Sequence, residues 1–337
     1  MKIVKLTFCD PSWPILRQTP DRSGRWCEYR FGELESELDS WVVYGDLPAV
    51  QTALCDPNRI VLFMGEPQAV KRYPAEFLAQ FAAVVTSHEG LDHPGAIHTQ
   101  QALPWFVGGR FLPATKTWDP KFRKDYDELC VELPPAKTKL MSIVATKKFV
   151  TEGHGLRCRF IERLKSEFGD EVDVFGVGHD VVADKWDAIA PYKYHFAIEN
   201  SVARDYWTEK LSDAYLGGAY PLYSGCPNIG DYFDQDAMTV LDLRDFDAAI
   251  ATIKRTISEN RFEISADALG KAKSLVLNRY QLFPAATAIL DTLPAAYRPA
   301  EVTLRPIASF ERPSGGILRR VSRFVVGRTK AIAGAKR

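Results

Sequence analysis

Tyr192-Lys193-Tyr194-His195-Phe196-Ala197-Ile198-Glu199-Asn200-Ser201, continued by Asp205-Tyr206-Trp207-Thr208-Glu209-Lys210 and then by Gly217-Gly218-Ala219-Tyr220-Pro221-Leu222-Tyr223, is the stretch that decides the fold. The aromatic and apolar run up to Ile198 reads as a strand that ends at Glu199-Asn200. A short loop leads to a helix that begins near Thr208 and stops at the Gly217-Gly218 pair, where a second strand takes over. Strand, loop, helix and strand in that order form the repeating unit of an open parallel sheet.

The charges sit at the mouth of this unit. Glu209 and Lys210 fall in the first helical turn, where free backbone N–H groups favour anions and an ammonium adds a full positive charge. A carboxylate there can accept hydrogen bonds from a pair of sugar hydroxyls. The pair suits a nucleotide diphosphate, with phosphate at Lys210 and ribose at Glu209. Ordinary polar residues opening an amphipathic helix would look the same, so the flanking pattern has to separate the two readings.

Working outward, apolar runs at 3–8, 41–44, 59–64 and 83–86, and again at 140–145, 172–175, 194–198 and 219–223, read as strands. Between two of them, Leu156, Phe160, Ile161, Leu164 and Phe168 are spaced for one helix face. Alternating strands and helices predict an α/β protein with parallel sheets covered on both sides. The charged segment 119–139, with Pro120, Pro134 and Pro135, breaks the rhythm and suggests a boundary near Pro134. The expected organisation is two Rossmann-like, doubly wound domains, 1–134 and 135–305, facing across a cleft, with a tail at 306–337. Ligands would then lie at the carboxyl ends of the strands.

Bulk properties agree. A chain of 337 residues exceeds what one core usually serves, and 46% hydrophobic with 26% charged residues is ordinary for a folded protein. Lysine plus arginine and aspartate plus glutamate both number 43, so no global charge points to nucleic acid. The six cysteines form no C-x-x-C pair, which fits neither a zinc cage nor a disulfide framework and favours a reducing cytoplasm. Residues 1–8 read as a first strand rather than a signal peptide, and no apolar run approaches the roughly 20 residues of a membrane span.

Other chemistry-bearing residues lie at strand ends. Gly65-Glu66-Pro67 closes the 59–64 strand, so a glycine turn places the Glu66 carboxylate toward the cleft. Arg157 and Arg159 open the helix after the 140–145 strand, with His154 beside them. Gly176-Val177-Gly178 lacks the third glycine of a dinucleotide fingerprint. His88, Glu89, Asp92, His93 and His98 follow the 83–86 strand, but their spacing matches no standard zinc site. They read as surface-loop or acceptor-binding residues, no metal is assigned, and His195 reads as structural.

The 192–228 block resembles the donor-binding signature of the glycosyltransferase family 10 fucosyltransferases, bacterial type. The matching residues are Phe196, Glu199, Asn200, Asp205, Tyr206, Thr208, Glu209, Lys210, Pro221, Tyr223, Gly225, Pro227 and Asn228. Ile198 stands where the family often has phenylalanine and Ser224 where it often has tryptophan, neither at a charged position. The resemblance implies the GT-B fold and an α-1,3/4-fucosyltransferase that moves L-fucose from GDP-fucose to a glycan hydroxyl with inversion. It implies Glu66 as catalytic base and Arg157 as the phosphate arginine, with Arg159 the second candidate. Asn200 and Tyr206 are implied to hold the nucleotide, with Glu199 and His154 as further donor contacts. No cofactor is implied, Mg2+ or Mn2+ at most stimulating turnover. A transferase using another GDP-sugar, or a catalytically silent glycan-binding scaffold, remains the alternative.

The end of the chain, 312–337, carries eight basic residues and no acidic one. Ile317, Leu318, Val321, Phe324, Val325 and Ile332 recur at helical spacing among the arginines, as in a helix lying on an anionic membrane. A disordered basic end has the same composition. The expectation is a cytoplasmic protein held peripherally at the membrane, with an oligosaccharide or lipid-linked acceptor and no nucleic-acid partner, serving lipopolysaccharide or capsule synthesis.

Overall fold

The computed structural model describes residues 1–33, 37–112, 114–131, 136–145, 152–294 and 298–311. The boundary expected near Pro134 and the basic tail at 312–337 lie outside the described residues.

The first sheet contains β1 (Lys2–Phe8), β2 (Arg25–Trp26), β3 (Tyr29–Gly32), β4 (Ser40–Tyr44), β5 (Ile60–Phe63), β6 (Ala83–Thr86) and β7 (Ala96–His98). Their order is β2-β3-β1-β4-β5-β6-β7, and every pairing except β2 with β3 is parallel. Both faces are buried, which is why the central strands read as unbroken apolar runs. Val42, Tyr44, Val61 and Phe63 face one core, and Trp41, Val43, Ile60 and Leu62 the other.

The second sheet contains β8 (Lys139–Val144), β9 (Val172–Phe175), β10 (Tyr192–Ile198), β11 (Tyr220–Ser224) and β12 (Thr239–Val240). Its order is β9-β8-β10-β11-β12, all parallel. The chain therefore leaves β8 in opposite directions toward β9 and β10. The topological switch lies between β8 and β10, the place where open α/β sheets take ligands beyond the carboxyl ends of their strands. The two-domain α/β arrangement expected of GT-B is present.

Two segments cross the expected boundaries. Trp105, Val107 and Leu129, numbered within the first domain, are buried in the second core. In return, the helix Leu282–Leu290, numbered within the second domain, buries Leu282, Phe283, Ala286 and Leu290 against the first sheet. The strand Ala300–Leu304 then pairs antiparallel with Gln51–Cys55 of the first domain. The helix Leu282–Leu290 and the strand Ala300–Leu304 thus pack with the first domain, a correction to the 135–305 grouping.

Arg59 shows what holds this return in place. The sequence reads it as a strand residue, but it sits in a short 3-10 turn before β5. Its Nη2 donates to the Leu290 carbonyl at 3.2 Å and its Nη1 to the Leu293 carbonyl at 3.2 Å, at the carboxyl end of the returning helix. A guanidinium there meets carbonyls at the negative end of the helix dipole. No described helix is long and apolar enough to cross a membrane.

Candidate functional site

The second-domain wall starts at the end of β10. Glu199 is buried and accepts from the Thr208 backbone N–H at 2.8 Å and from the Thr208 hydroxyl at 2.8 and 3.0 Å. Thr208 is the N-cap of the helix Glu209–Leu216, its hydroxyl accepting from the Lys210 N–H. A capping threonine satisfies an orphan donor of the first turn. Here it also fixes that turn to the strand end through Glu199.

Lys210 stands among oxygens. Its Nζ lies 3.0 Å from Thr208 Oγ1, 3.3 Å from Glu199 Oε2 and 3.4 Å from Glu209 Oε1. Burial works against its charge, but Glu199 and Glu209 outweigh it and raise its basicity. Burial also pushes the Glu209 carboxyl up, yet Lys210 and Lys185 overcome this and hold it down at about 2. Glu199 is pushed up, chiefly by burial and then by Glu209 against the opposing Lys210. Glu199 and Glu209 therefore share the Lys210 ammonium, with Glu209 the firmly ionised one.

Arg157 completes this wall from the helix Glu152–Phe168, which follows β8. It is buried, and its Nη1 donates to Asn200 Oδ1 at 2.7 Å. Arg159, two residues on, points to the exposed side of the helix. Burial lowers the Arg157 basicity, while Cys158, Glu199 and Glu209 oppose that. His154 lies in the helix with its side chain outside the described residues. Burial, and after it Glu199, Glu66 and Glu209, push the Tyr206 phenol well above its ordinary value.

The facing wall belongs to the first domain. Glu66 follows β5, and its carboxyl is raised by burial and then by Glu209 across the cleft, Lys210 and Lys71 opposing. The Tyr44 and Tyr73 phenols also respond to Glu66 and are pushed well up, mainly by burial. This is a dry wall, in which a carboxylate holds its proton longer than in water.

His88, read as a surface-loop or acceptor-binding residue, is buried, which corrects the first of those readings. Its Nε2 lies 2.8 Å from the Glu66 carbonyl oxygen, so it holds the backbone that presents the carboxylate. The signal was the parallel register. Phe63 pairs with Val85, which brings the residues three further on, Glu66 and His88, side by side at the sheet's carboxyl end. His93 Nδ1 accepts from the Gly95 N–H at 3.0 Å, a local turn contact. No group of three or more His, Cys, Asp or Glu side chains among the described residues could hold a metal ion. His195 is buried with Nδ1 2.8 Å from Ser142 Oγ, and burial lowers it to about 3.

Gly225 is required by close approach. A Cβ there would lie 2.5 Å from Glu199 Cγ and 2.7 Å from the Tyr223 hydroxyl, with little room to shift. Gly225→Ala is expected to destabilise the fold by about 1–3 kcal/mol by overpacking and to displace Glu199. Denaturant unfolding of the variant checks this, and an unchanged midpoint would contradict it.

Comparison with known proteins adds sequence evidence. The family described as Glycosyltransferase family 10 (fucosyltransferase) C-term matches residues 134–258. A Helicobacter pylori alpha-(1,3)-fucosyltransferase is 25% identical over 189 residues, 53% of this chain and 38% of that protein. A Xenopus laevis GDP-fucose protein O-fucosyltransferase 3 is 38% identical over 53 residues, 16% of this chain and 11% of its own length. The chain thus spans well under half the length of these relatives. A crystal structure of an alpha1,3-fucosyltransferase aligns with TM-score 0.47 and 17% identity, covering 84% of this chain and 91% of that one. One holding GDP-fucose aligns with TM-score 0.44 and 17% identity over 84% and 92%.

Proposed function

From the match of residues 134–258 to the glycosyltransferase family 10 C-terminal model, we propose that this chain is an inverting fucosyltransferase that moves L-fucose from GDP-β-L-fucose to a glycan hydroxyl. The observation that carries the proposal is the pair of facing walls. Arg157, Lys210 and the ionised Glu209 stand on one, and the Glu66 carboxylate, raised by its dry setting, on the other.

The roles follow from charge and position. Lys210 and Arg157 meet the diphosphate, Glu209 accepts from the ribose hydroxyls, and Asn200 and Tyr206 hold the nucleotide between them. The acceptor oxygen attacks the anomeric carbon as the bond to the β-phosphate oxygen breaks, and its electron pair leaves with GDP. Glu66 takes the acceptor proton. The two cations stabilise the charge that grows on the diphosphate, a task fixed positive groups perform without reorganisation. No metal is needed for that step, and Mg2+ or Mn2+ at most stimulates it. The acceptor is read as N-acetylglucosamine or a related sugar, linked α-1,3, on an oligosaccharide or a lipid-linked glycan. The 312–337 tail would keep the protein on the inner face of an anionic membrane, where such glycans for lipopolysaccharide or capsule are built.

The test is turnover against a donor panel of GDP-fucose, GDP-mannose and UDP-sugars. GDP-fucose alone is expected to give a glycoside, with the α-anomer identified by the product's anomeric proton coupling. Turnover only with another GDP-sugar would keep the transferase and replace fucose. GDP binding without any turnover would favour a silent scaffold.

A pH dependence follows from the Glu66 setting. The base works only when deprotonated, and burial followed by Glu209 raises its carboxyl above the usual 4.5. The acid limb of kcat/KM is therefore expected above the ordinary glutamate range. A limb at or below the ordinary value would argue against Glu66.

A further inference from the structure

The buried charges at the start of the helix Glu209–Leu216 extend past Lys210. Lys185 opens the helix Lys185–Ile189 and places its Nζ 2.8 Å from Asp213 Oδ2 and 3.6 Å from Glu209 Oε1. The Asp213 side chain is 1% exposed, and its other oxygen accepts from the Phe106 and Val107 backbone N–H groups at 2.7 and 3.0 Å. The Lys185 ammonium also lies 4.7 Å from the centre of the Phe106 ring.

Phe106 and Val107 belong to the segment by which the chain passes from the first domain into the second. The first domain grips the same segment from its other side. The buried Arg17 donates to the Trp105 carbonyl at 2.9 Å and to the Val107 carbonyl at 3.0 Å. A continuous path therefore runs from Arg17 through the crossover backbone to Asp213, Lys185 and Glu209.

We propose that Lys185 is a positioning residue for the donor site, holding the Glu209 carboxylate against the interdomain crossover so that it presents its oxygens to the ribose of a nucleoside diphosphate. The inference rests on the reading of Glu209 as the ribose acceptor. Lys210 cannot do this alone, because its ammonium is divided among Thr208, Glu199 and Glu209. Without Lys185, Lys210 is the one cation among the described residues still ion-paired with the Glu209 carboxylate. The carboxylate closes onto the ammonium needed for phosphate, so ribose and phosphate contacts weaken together. Asp213 has a separate task. Its backbone bonds to the crossover do not involve the lysine, so loss of the Lys185 charge lowers stability through Asp213 while the crossover contact itself is kept.

The test is equilibrium titration with GDP of the wild-type chain, Lys185→Gln and Lys185→Arg, with thermal melts confirming that each is folded. Glutamine keeps an N–H donor for Asp213 and removes the charge that faces Glu209. Lys185→Gln is expected to weaken GDP binding about ten-fold, a modest value for a partly exposed pair, and Lys185→Arg to restore it to within about three-fold. The acceptor KM is expected to stay unchanged, which a general loosening of the domain interface would not produce. GDP binding by folded Lys185→Gln equal to wild type would overturn the inference while leaving the donor site intact. Absence of GDP binding in the wild type would overturn the donor reading and this inference with it.

Discussion

Lys210→Met is expected to lose GDP binding by more than a hundred-fold and to lower stability by about 3–5 kcal/mol at neutral pH, the cost of stranding buried partners. The ammonium is the cation nearest both Glu199 and Glu209, at 3.3 and 3.4 Å, and its side chain is only 19% exposed. The stability deficit has a pH sign. In the wild type Glu209 is held at about 2, so its contribution is present above the ordinary 4.5 and is lost as pH falls toward 2. In the variant both carboxyls rise, so the folded state takes up protons and gains stability as pH falls. The gap between variant and wild type is therefore expected to narrow on acidification. Urea unfolding at two pH values measures it, and a gap that widens toward acid would contradict the proposed charge arrangement.

Glu66→Gln is expected to bind GDP as the wild type does and to transfer sugar about 10²–10⁴-fold more slowly, the usual worth of a general base. The change is isosteric and removes only the proton acceptor. His88 bonds the Glu66 backbone carbonyl, so the loop geometry should survive. His88→Phe should lower transfer by a smaller factor, because it frees the backbone that aims the carboxylate and leaves the carboxylate itself in place. A Glu66→Gln rate within two-fold of wild type would remove Glu66 from the reaction.

The sheets were legible because parallel strands buried on both faces appear as unbroken apolar runs, as in Ile60–Phe63 and Ala83–Thr86. The strand–helix–strand unit around Thr208 was legible for a second reason. Its cap, its glycine stop and its charged first turn are local features. Arg25–Trp26, Tyr29–Gly32 and Ala96–His98 were missed, being two to four residues long and partly exposed. The return of Leu282–Leu290 to the first sheet was not legible either, since an apolar helix does not carry the address of the core it will join.

The candidate site divides in the same way. Glu66, Arg157, Glu209 and Lys210 stand at strand ends and helix starts, where the local pattern already points at a cleft. His88 needed the register between two strands, and Lys185 needed the distance from its helix to the next. Arg157 was put ahead of Arg159 by the resemblance alone, since both open the same helix. Burial of the first beside Asn200 and exposure of the second separate them.

Acceptor-dependent release of GDP from GDP-fucose, measured for the wild type and Glu66→Gln alongside GDP titrations of both, tests the central claim most directly. Release that rises with a lactose- or N-acetyllactosamine-type acceptor in the wild type, and collapses in Glu66→Gln with GDP affinity unchanged, is the predicted result. Tight GDP binding with no acceptor-dependent release from GDP-fucose would contradict it.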